Sequence, residues 1–299
     1  MATVAESSGG AARSVTPRLL RGMPLPDPGG DKEAKGRLLL VGGSTTTPGA
    51  VVLAAEAALR VGAGKVQVAT TATTAGHVAT RVPEAFVLGL PTDGDEIAPG
   101  CADRLLELAE AADAVLLGPG IGDPDAARTL LERLVPRCTT ALAVDALGTA
   151  YLTDHPDGVR HLAGRVVVTP NLSEMSRLLG DDEDRCAADL LGATRRAAAM
   201  TGATVVSGAD VSYVVEPSGA ALALDLGVPG AAVAGSGDVK AGAVAGLLAR
   251  GADPVVAAAW GAYVHARSGE RLSASVGRVG FLARELVAGL PAALGEVLA

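Results

Sequence analysis

Aromatic residues are nearly missing from this 299-residue chain: two Phe, three Tyr and one Trp make up 2% of it. That scarcity excludes a core built on stacked rings, so close packing falls to small aliphatic side chains within the 49% of hydrophobic residues. Cysteine is scarce too. Cys101, Cys138 and Cys186 stand far apart, without paired metal spacing or an even count, which excludes a disulfide framework. They read as free thiols of a reducing compartment. Positive charge is in deficit, since 25 Lys and Arg against 33 Asp and Glu leave −8 at pH 7 and a pI near 5.1. A nucleic acid or an anionic membrane surface requires a basic footprint, so neither is an expected partner. No long apolar run marks a signal peptide or a membrane span, and the cytoplasm is the expected location. What the chain does have is glycine, 39 residues of it, and a small molecule is the expected ligand.

Residues 1–30, rich in Gly, Ser, Pro and Arg, read as a flexible arm in which Thr16-Pro17-Arg18-Leu19-Leu20 carries the signature of one helical turn. Residues 31–299 read as one domain, with no internal repeat or linker to divide it. After Gly36 the chain repeats a short aliphatic run, a glycine turn and an Ala- and Leu-rich stretch. That grammar predicts an α/β fold with a central, mostly parallel sheet and helices on both faces. Strands are expected at 37–41, 65–69, 114–117, 142–145, 166–169 and 205–207. Helices are expected at 50–61, where Pro48 suits a first turn and Gly62 a C-terminal cap, and near 101–111, 125–135, 173–179 and 183–200. Val211–Val215 and Ala220–Asp225, joined by Glu216-Pro217-Ser218-Gly219, read as a hairpin that ends the parallel pattern at one sheet edge. Helical spacing returns over 239–249, 254–267 and 279–290.

Glycine turns leading from strands into helices offer free backbone N–H groups and the positive end of a helix dipole, which suits phosphate oxygens. Three are present: Gly42-Gly43-Ser44 through Gly49, Gly118-Pro119-Gly120-Ile121-Gly122, and Ala234-Gly235-Ser236-Gly237-Asp238. None fits a Walker A loop or the dinucleotide fingerprint. The third also carries an acid at a helix start. Asp238 is then either a dipole-favoured helix residue or a base that takes a proton from an attacking hydroxyl while the amides of 235–238 bind phosphate.

Taken in order, these motifs resemble the ADP- or ATP-dependent NAD(P)H-hydrate dehydratases, a ribokinase-like family. The resemblance runs from about Lys32 to Leu290. It is carried by Gly36–Ser44, Pro48-Gly49-Ala50, Arg60–Gly64, Pro83-Glu84-Ala85, Gly118–Gly122, Thr169-Pro170 with Glu174-Met175, and Ala234–Val239. It implies a ribokinase-like fold and restoration of NADH or NADPH from the hydrated, damaged form at the expense of ADP or ATP, with Mg²⁺ on the phosphates. Asp238 would be the catalytic base and a substrate contact. Ala50, the Gly120–Gly122 loop and the position of Asn171 would line the substrate pocket. Ser207, Gly208, Ala209, Asp210 and Val211, with Gly235, Ser236 and Gly237, would bind the nucleotide, and the family suggests a homo-oligomer.

The chain departs from that pattern at the site. Asn171 stands where the family carries histidine, Ser207 where it carries lysine, and Ala143 where it carries a first acid before Asp145. Lys240 replaces an aliphatic residue, reading either as a substitute for the charge missing at Ser207 or, by preference, as a solvent-facing side chain. Two other readings share the fold: a kinase of a vitamin-like or sugar-like alcohol, and a nucleotide-binding paralogue without turnover. Elsewhere, Asn171 and Glu174 have capping-box spacing. His77, His155, His161 and His265 lack metal-ligand spacing and read as surface or packing residues, and Trp260 with Tyr263 reads as core. Asp123 reads equally as a turn residue and as a contact to metal-bound phosphate.

Overall fold

The computed structural model describes residues 10–27, 29–208 and 210–298; the expectation for Ala209 lies outside the described residues. One sheet is built from β1 (Arg13–Ser14), β2 (Arg37–Val41), β3 (Lys65–Thr71), β4 (Phe86–Leu90), β7 (Ala114–Leu117), β8 (Ala141–Val144), β9 (Val166–Val168), β10 (Thr204–Ser207), β11 (Ser212–Val215) and β12 (Ala221–Leu224). A small hairpin, β5 (Thr92–Asp93) and β6 (Glu96–Ile97), stands apart from it. The order across the sheet is β1-β12-β11-β10-β9-β8-β7-β2-β3-β4, parallel except at β10–β11 and β11–β12.

Strand β2 shows why both faces must be covered. Leu38 and Leu40 pack into one core and Leu39 and Val41 into the other, all essentially inaccessible. A strand buried on both sides reads as a continuous apolar run. The first core is closed by α1 (Pro17–Arg21), α2 (Pro48–Arg60), α3 (Ala72–Arg81), α10 (Ser236–Ala249), α11 (Pro254–Ser275) and α12 (Ala283–Leu298). The second is closed by α4 (Ala102–Glu110), α5 (Pro124–Leu134), α6 (Thr149–Asp154), α7 (Leu172–Leu179), α8 (Glu183–Ala188) and α9 (Leu190–Thr201). Small residues set the spacing where α10 meets α2: a methyl on Gly242 would stand 2.2 Å from the Ala54 carbonyl oxygen, so only glycine lets the backbones approach.

After β1, which lies at the far edge, the chain enters the middle of the sheet at β2, runs outward through β3 to β4, then returns to β7 on the other side of β2. The connections after β2 and β7 therefore diverge, and the crevice between their carboxyl ends is where open α/β sheets bind ligands.

Three expectations are corrected. The hairpin β11–β12 is not the edge, because β1 pairs with β12 in parallel outside it. The segment read as a flexible arm is built into the fold from residue 13 to 23. Leu20 is buried, Arg21 Nε donates to Val297 O at 2.9 Å, and Trp260 Nε1 donates to Met23 O at 2.8 Å. Its partners lie more than two hundred residues away, where local composition carries no signal of them. The helix read over 183–200 is two helices, broken at Asp189, whose carboxylate accepts from Gly192 N at 2.9 Å and caps α9.

Candidate functional site

The first two glycine turns leave β2 and β7 side by side and lock together. Gly43 N donates to Pro119 O at 2.8 Å, and a Cβ on Gly42 would lie 2.2 Å from that oxygen. Gly120, at φ 72°, stacks on the start of α2: a Cβ there would be 2.9 Å from the Ala50 Cβ, and Thr47 Oγ1 donates to Gly120 O at 2.6 Å. Ala50 and Gly120 are thus neighbours. The Gly122 amide is already engaged, donating to Glu96 Oε1 at 2.8 Å. Burial raises the Glu96 carboxyl above its ordinary range against these amide bonds. The β5–β6 hairpin that supplies Glu96 also bonds through Asp95 O to Thr45 N at 3.0 Å, so it ties both glycine turns together.

The third turn opens α10. Gly235 takes the left-handed conformation at φ 88° as N-cap, and no side chain caps the helix; Ser236 N donates to Val233 O at 3.0 Å, while the amides of Gly237 and Asp238 are open. Gly237 has nothing within 4 Å of where a Cβ would sit, whereas a Cβ on Gly235 would meet Leu53 Cδ1 at 2.5 Å. This turn therefore lies directly over α2. Ser236 Oγ is 2.8 Å from His265 Nε2. Burial, together with Lys240, pushes the His265 imidazole down to about 3, so it is neutral here.

Asp238 sits in the first turn of the helix and is not its N-cap, since Gly235 holds that position. Burial, then the neighbouring Glu174 carboxylate, raises Asp238 to about 6. Around it stand Asp145 and Glu174, both pushed up by burial, and Lys240, whose ammonium is pushed down by burial and held up by the charges of Asp145 and Glu174. Asp145 follows β8 and accepts from Thr169 Oγ1 at 2.6 Å. Lys240 corrects an expectation in part: it is half-buried rather than fully solvent-facing, and its Nζ lies 3.2 Å from where a Cβ on Gly208 would stand. A signal for this was available. Helix α10 is apolar nearly all round, and such a helix is largely buried, so its one lysine is drawn at least partly out of solvent.

Ser207 is placed differently from its expected role. Strand residues alternate between faces: Val205 belongs to the core under α9 and Val206 to the core under α10. Ser207 follows Val205, is 1% exposed, and its Oγ accepts from Thr194 Oγ1 of α9 at 2.8 Å. Its side chain is therefore turned away from the crevice, while Gly208 meets Lys240. Asp210 meets the loop that leads to α10, since a Cβ on Gly227 would be 2.3 Å from Asp210 O. Val211 immediately precedes β11 and is half-buried.

Asn171 and Glu174 form the capping box of α7, with Glu174 N donating to Asn171 Oδ1 at 2.9 Å and Asn171 N to Glu174 Oε2 at 3.0 Å. Asn171 Nδ2 also donates to Glu174 Oε1 at 2.7 Å, so the exposed amide is held on Glu174. Asp123 caps α5 through Asp125 N at 2.8 Å, which accounts for it as turn chemistry. His155 and His161 bond Glu132 and the Cys138 carbonyl. Among the described residues no group of three or more His, Cys, Asp or Glu side chains is arranged to hold a metal ion.

A cavity of about 400 Å³ opens beside the site, between Pro48, Gly49 and Leu53 of α2, His77 of α3, Ala234 and Arg284. An anion drawn to the open start of α10 would meet both Asp238 and this cavity, which is the arrangement of a ribokinase-like protein that brings phosphate to an acid. The family model for NAD(P)H-hydrate dehydratase matches residues 38–292, and the chain belongs to that family. An ADP-dependent (S)-NAD(P)H-hydrate dehydratase of Xanthomonas campestris is 44% identical over 293 residues, covering 97% of this chain and 99% of the relative. The bifunctional NAD(P)H-hydrate repair enzyme Nnr of Escherichia coli is 33% identical over 87% of this chain, which spans 47% of that longer protein. A ribokinase-like superfamily protein of Enterococcus faecalis superposes with a TM-score of 0.82 at 26% identity, covering 96% of both chains. An ADP/ATP-dependent NAD(P)H-hydrate dehydratase of Bacillus subtilis, crystallised with ATP and Mg²⁺, shares the fold with a TM-score of 0.79 at 22% identity, over 96% of this chain and 99% of that one.

Proposed function

We propose that this chain dehydrates the hydrate of NADH or NADPH at the expense of ADP or ATP, with Asp238 as the general base. The observation that carries the reading is Asp238 itself: a half-buried carboxylate poised near 6, in the first turn of a helix that no side chain caps, beside the crevice at the sheet's switch point. Asp238 takes the proton from the ring hydroxyl of the hydrate. The amides at Gly235 and Gly237 hold the phosphoryl group in line with that hydroxyl, Ser236 N being taken by Val233 O. The nucleotide supplies the phosphoryl group that turns a poor leaving group into a good one. Ala50, Gly120, Gly122 and the Asn171 end of α7 border the substrate, and the cavity beside Pro48 and Gly49 gives its organic part a place to lie.

The residues present fit a nucleotide: the space at Gly237 is open, Gly208 faces the half-buried Lys240 ammonium, and Asp210 and Val211 continue the wall. Mg²⁺ would be held chiefly by phosphate oxygens, because the nearby carboxylates do not form a metal-ligating group among the described residues. The reading carries with it a cytoplasmic homo-oligomer. The three cysteines are free and buried, and no helix among the described residues is long and apolar enough to cross a membrane.

The purified protein should restore the near-ultraviolet absorbance of reduced nicotinamide when given NADH or NADPH hydrate with ADP or ATP and Mg²⁺. Accumulation of a stable phosphoester instead would identify a kinase. Absence of turnover with every combination, by a folded protein that binds nucleotide, would identify a binding paralogue.

A further inference from the structure

The sheet brings two features together that have no common origin in the sequence. After β10 the alternation of faces sends Ser207 under α9 and leaves Gly208 on the side of α10. On α10, Lys240 lies three residues beyond Gly237 and so on the same side of the helix as the open amides. Its ammonium reaches to within 3.2 Å of the Gly208 Cβ position and has no hydrogen bond or ion pair to any described residue. The groups that face it are Asp145 after β8, Glu174 on α7 and His265 on α11. A half-buried ammonium without a salt-bridge partner is free to take an anionic ligand through charge-assisted hydrogen bonds, and this one lies in the gap between a glycine loop and a helix start.

We propose that Lys240 is the cation that pairs with the terminal phosphate of the nucleotide, delivered by α10 across the crevice rather than by the strand β10. The inference rests on the nucleotide-dependent reading above. In this arrangement Gly208 is glycine because a side chain would crowd the ammonium, and Gly237 is glycine because the phosphate lies over it. Lys240 contributes specificity as well as affinity, since it discriminates ligands by their phosphate and makes no demand on the nucleoside.

Calorimetry with ADP and with adenosine tests this. Lys240→Met, of similar length and without charge, should weaken ADP by about 10- to 100-fold, the range for a charge-assisted hydrogen bond. Adenosine, which has no phosphate, should bind within about twofold of its original affinity. An equal loss for both ligands would mean that Lys240 only shapes the site. A second variant, Lys240→Met with Glu174→Gln, keeps a residue competent for the capping box and rebalances the local charge. It should remain as weak toward ADP as the single variant. Recovery of ADP binding there would show that Lys240 merely neutralises carboxylates and would overturn the inference. Undiminished ADP binding by Lys240→Met overturns the inference alone, whereas failure of the unmodified protein to bind ADP removes the functional reading beneath it.

Discussion

The Ser207 hydroxyl accepts a 2.8 Å hydrogen bond from Thr194 on α9, and so points away from the crevice that its neighbour Gly208 lines. Read from sequence alone, Ser207→Lys should tighten nucleotide binding by restoring a cation. The geometry reverses that expectation. A lysine there would put an ammonium into the core beneath α9, and an uncompensated buried charge costs about 3 kcal/mol or more. Chemical denaturation should show that loss. Unchanged stability with tighter ADP binding would mean that the side chain can cross to the other face of the sheet.

Asp238→Asn separates chemistry from structure. Loss of the base should lower turnover by about 10²–10⁴-fold with nucleotide affinity little changed. Stability should move the other way. The Asp238 carboxyl is raised in the fold to about 6 from its ordinary 3.8, so it favours the native state fully below pH 4 and loses that contribution as pH rises through 6. At 1.36 kcal/mol per unit the difference approaches about 3 kcal/mol. The Asn variant should therefore be the more stable protein at pH 7 and should lose that advantage by pH 4. A variant with near-normal turnover refutes the proposed mechanism.

The same carboxyl sets a pH profile. The base works when ionised, so kcat/KM should climb about tenfold per pH unit below 6 and level off above it. An inflection there would usually be credited to histidine. His265 is the histidine at the nucleotide turn, and it is held neutral with its imidazole near 3. The inflection should consequently survive His265→Asn, and its disappearance in that variant would reassign the base.

Two glycines on one helix should behave oppositely. Gly237→Ala meets nothing within 4 Å and adds helix propensity, so stability should hold or rise by up to about 1 kcal/mol while ADP affinity falls. In Gly242→Ala the new methyl would lie 2.2 Å from Ala54 O, forcing α10 off α2 and destabilising the protein by about 1–3 kcal/mol. Paired melting curves and ADP titrations would distinguish these outcomes. An undiminished ADP affinity in Gly237→Ala would show that phosphate does not lie over that turn.

The parallel half of the sheet was legible because β2, β3, β7, β8 and β9 are short aliphatic runs near glycine or proline turns, and the motifs follow one another in a recognisable order. Face orientation was less legible. In β10 all four residues are buried, so no alternation of polar and apolar side chains reveals which way Ser207 turns. Helix α3, with four threonines or glycines among its ten residues, lacks the Leu pattern that marked other helices. The β5–β6 hairpin escaped notice although Gly94-Asp95 is a recognised two-residue turn. Its role, holding Glu96 on the Gly122 amide, depends on a contact that no local pattern encodes.

The bond from Trp260 to the Met23 carbonyl joins residues 237 positions apart. At translation speeds of 5–20 residues per second, the first part of this pair waits on the order of 10–50 s for the second to be made. During that interval Leu20 has neither α11 nor α12 to cover it, and Arg13–Ser14 has no β12 to join. The segment that finally closes the sheet edge is thus made before every other strand of the sheet and is among the last able to find its place, which makes the time between synthesis and closure a property of this topology.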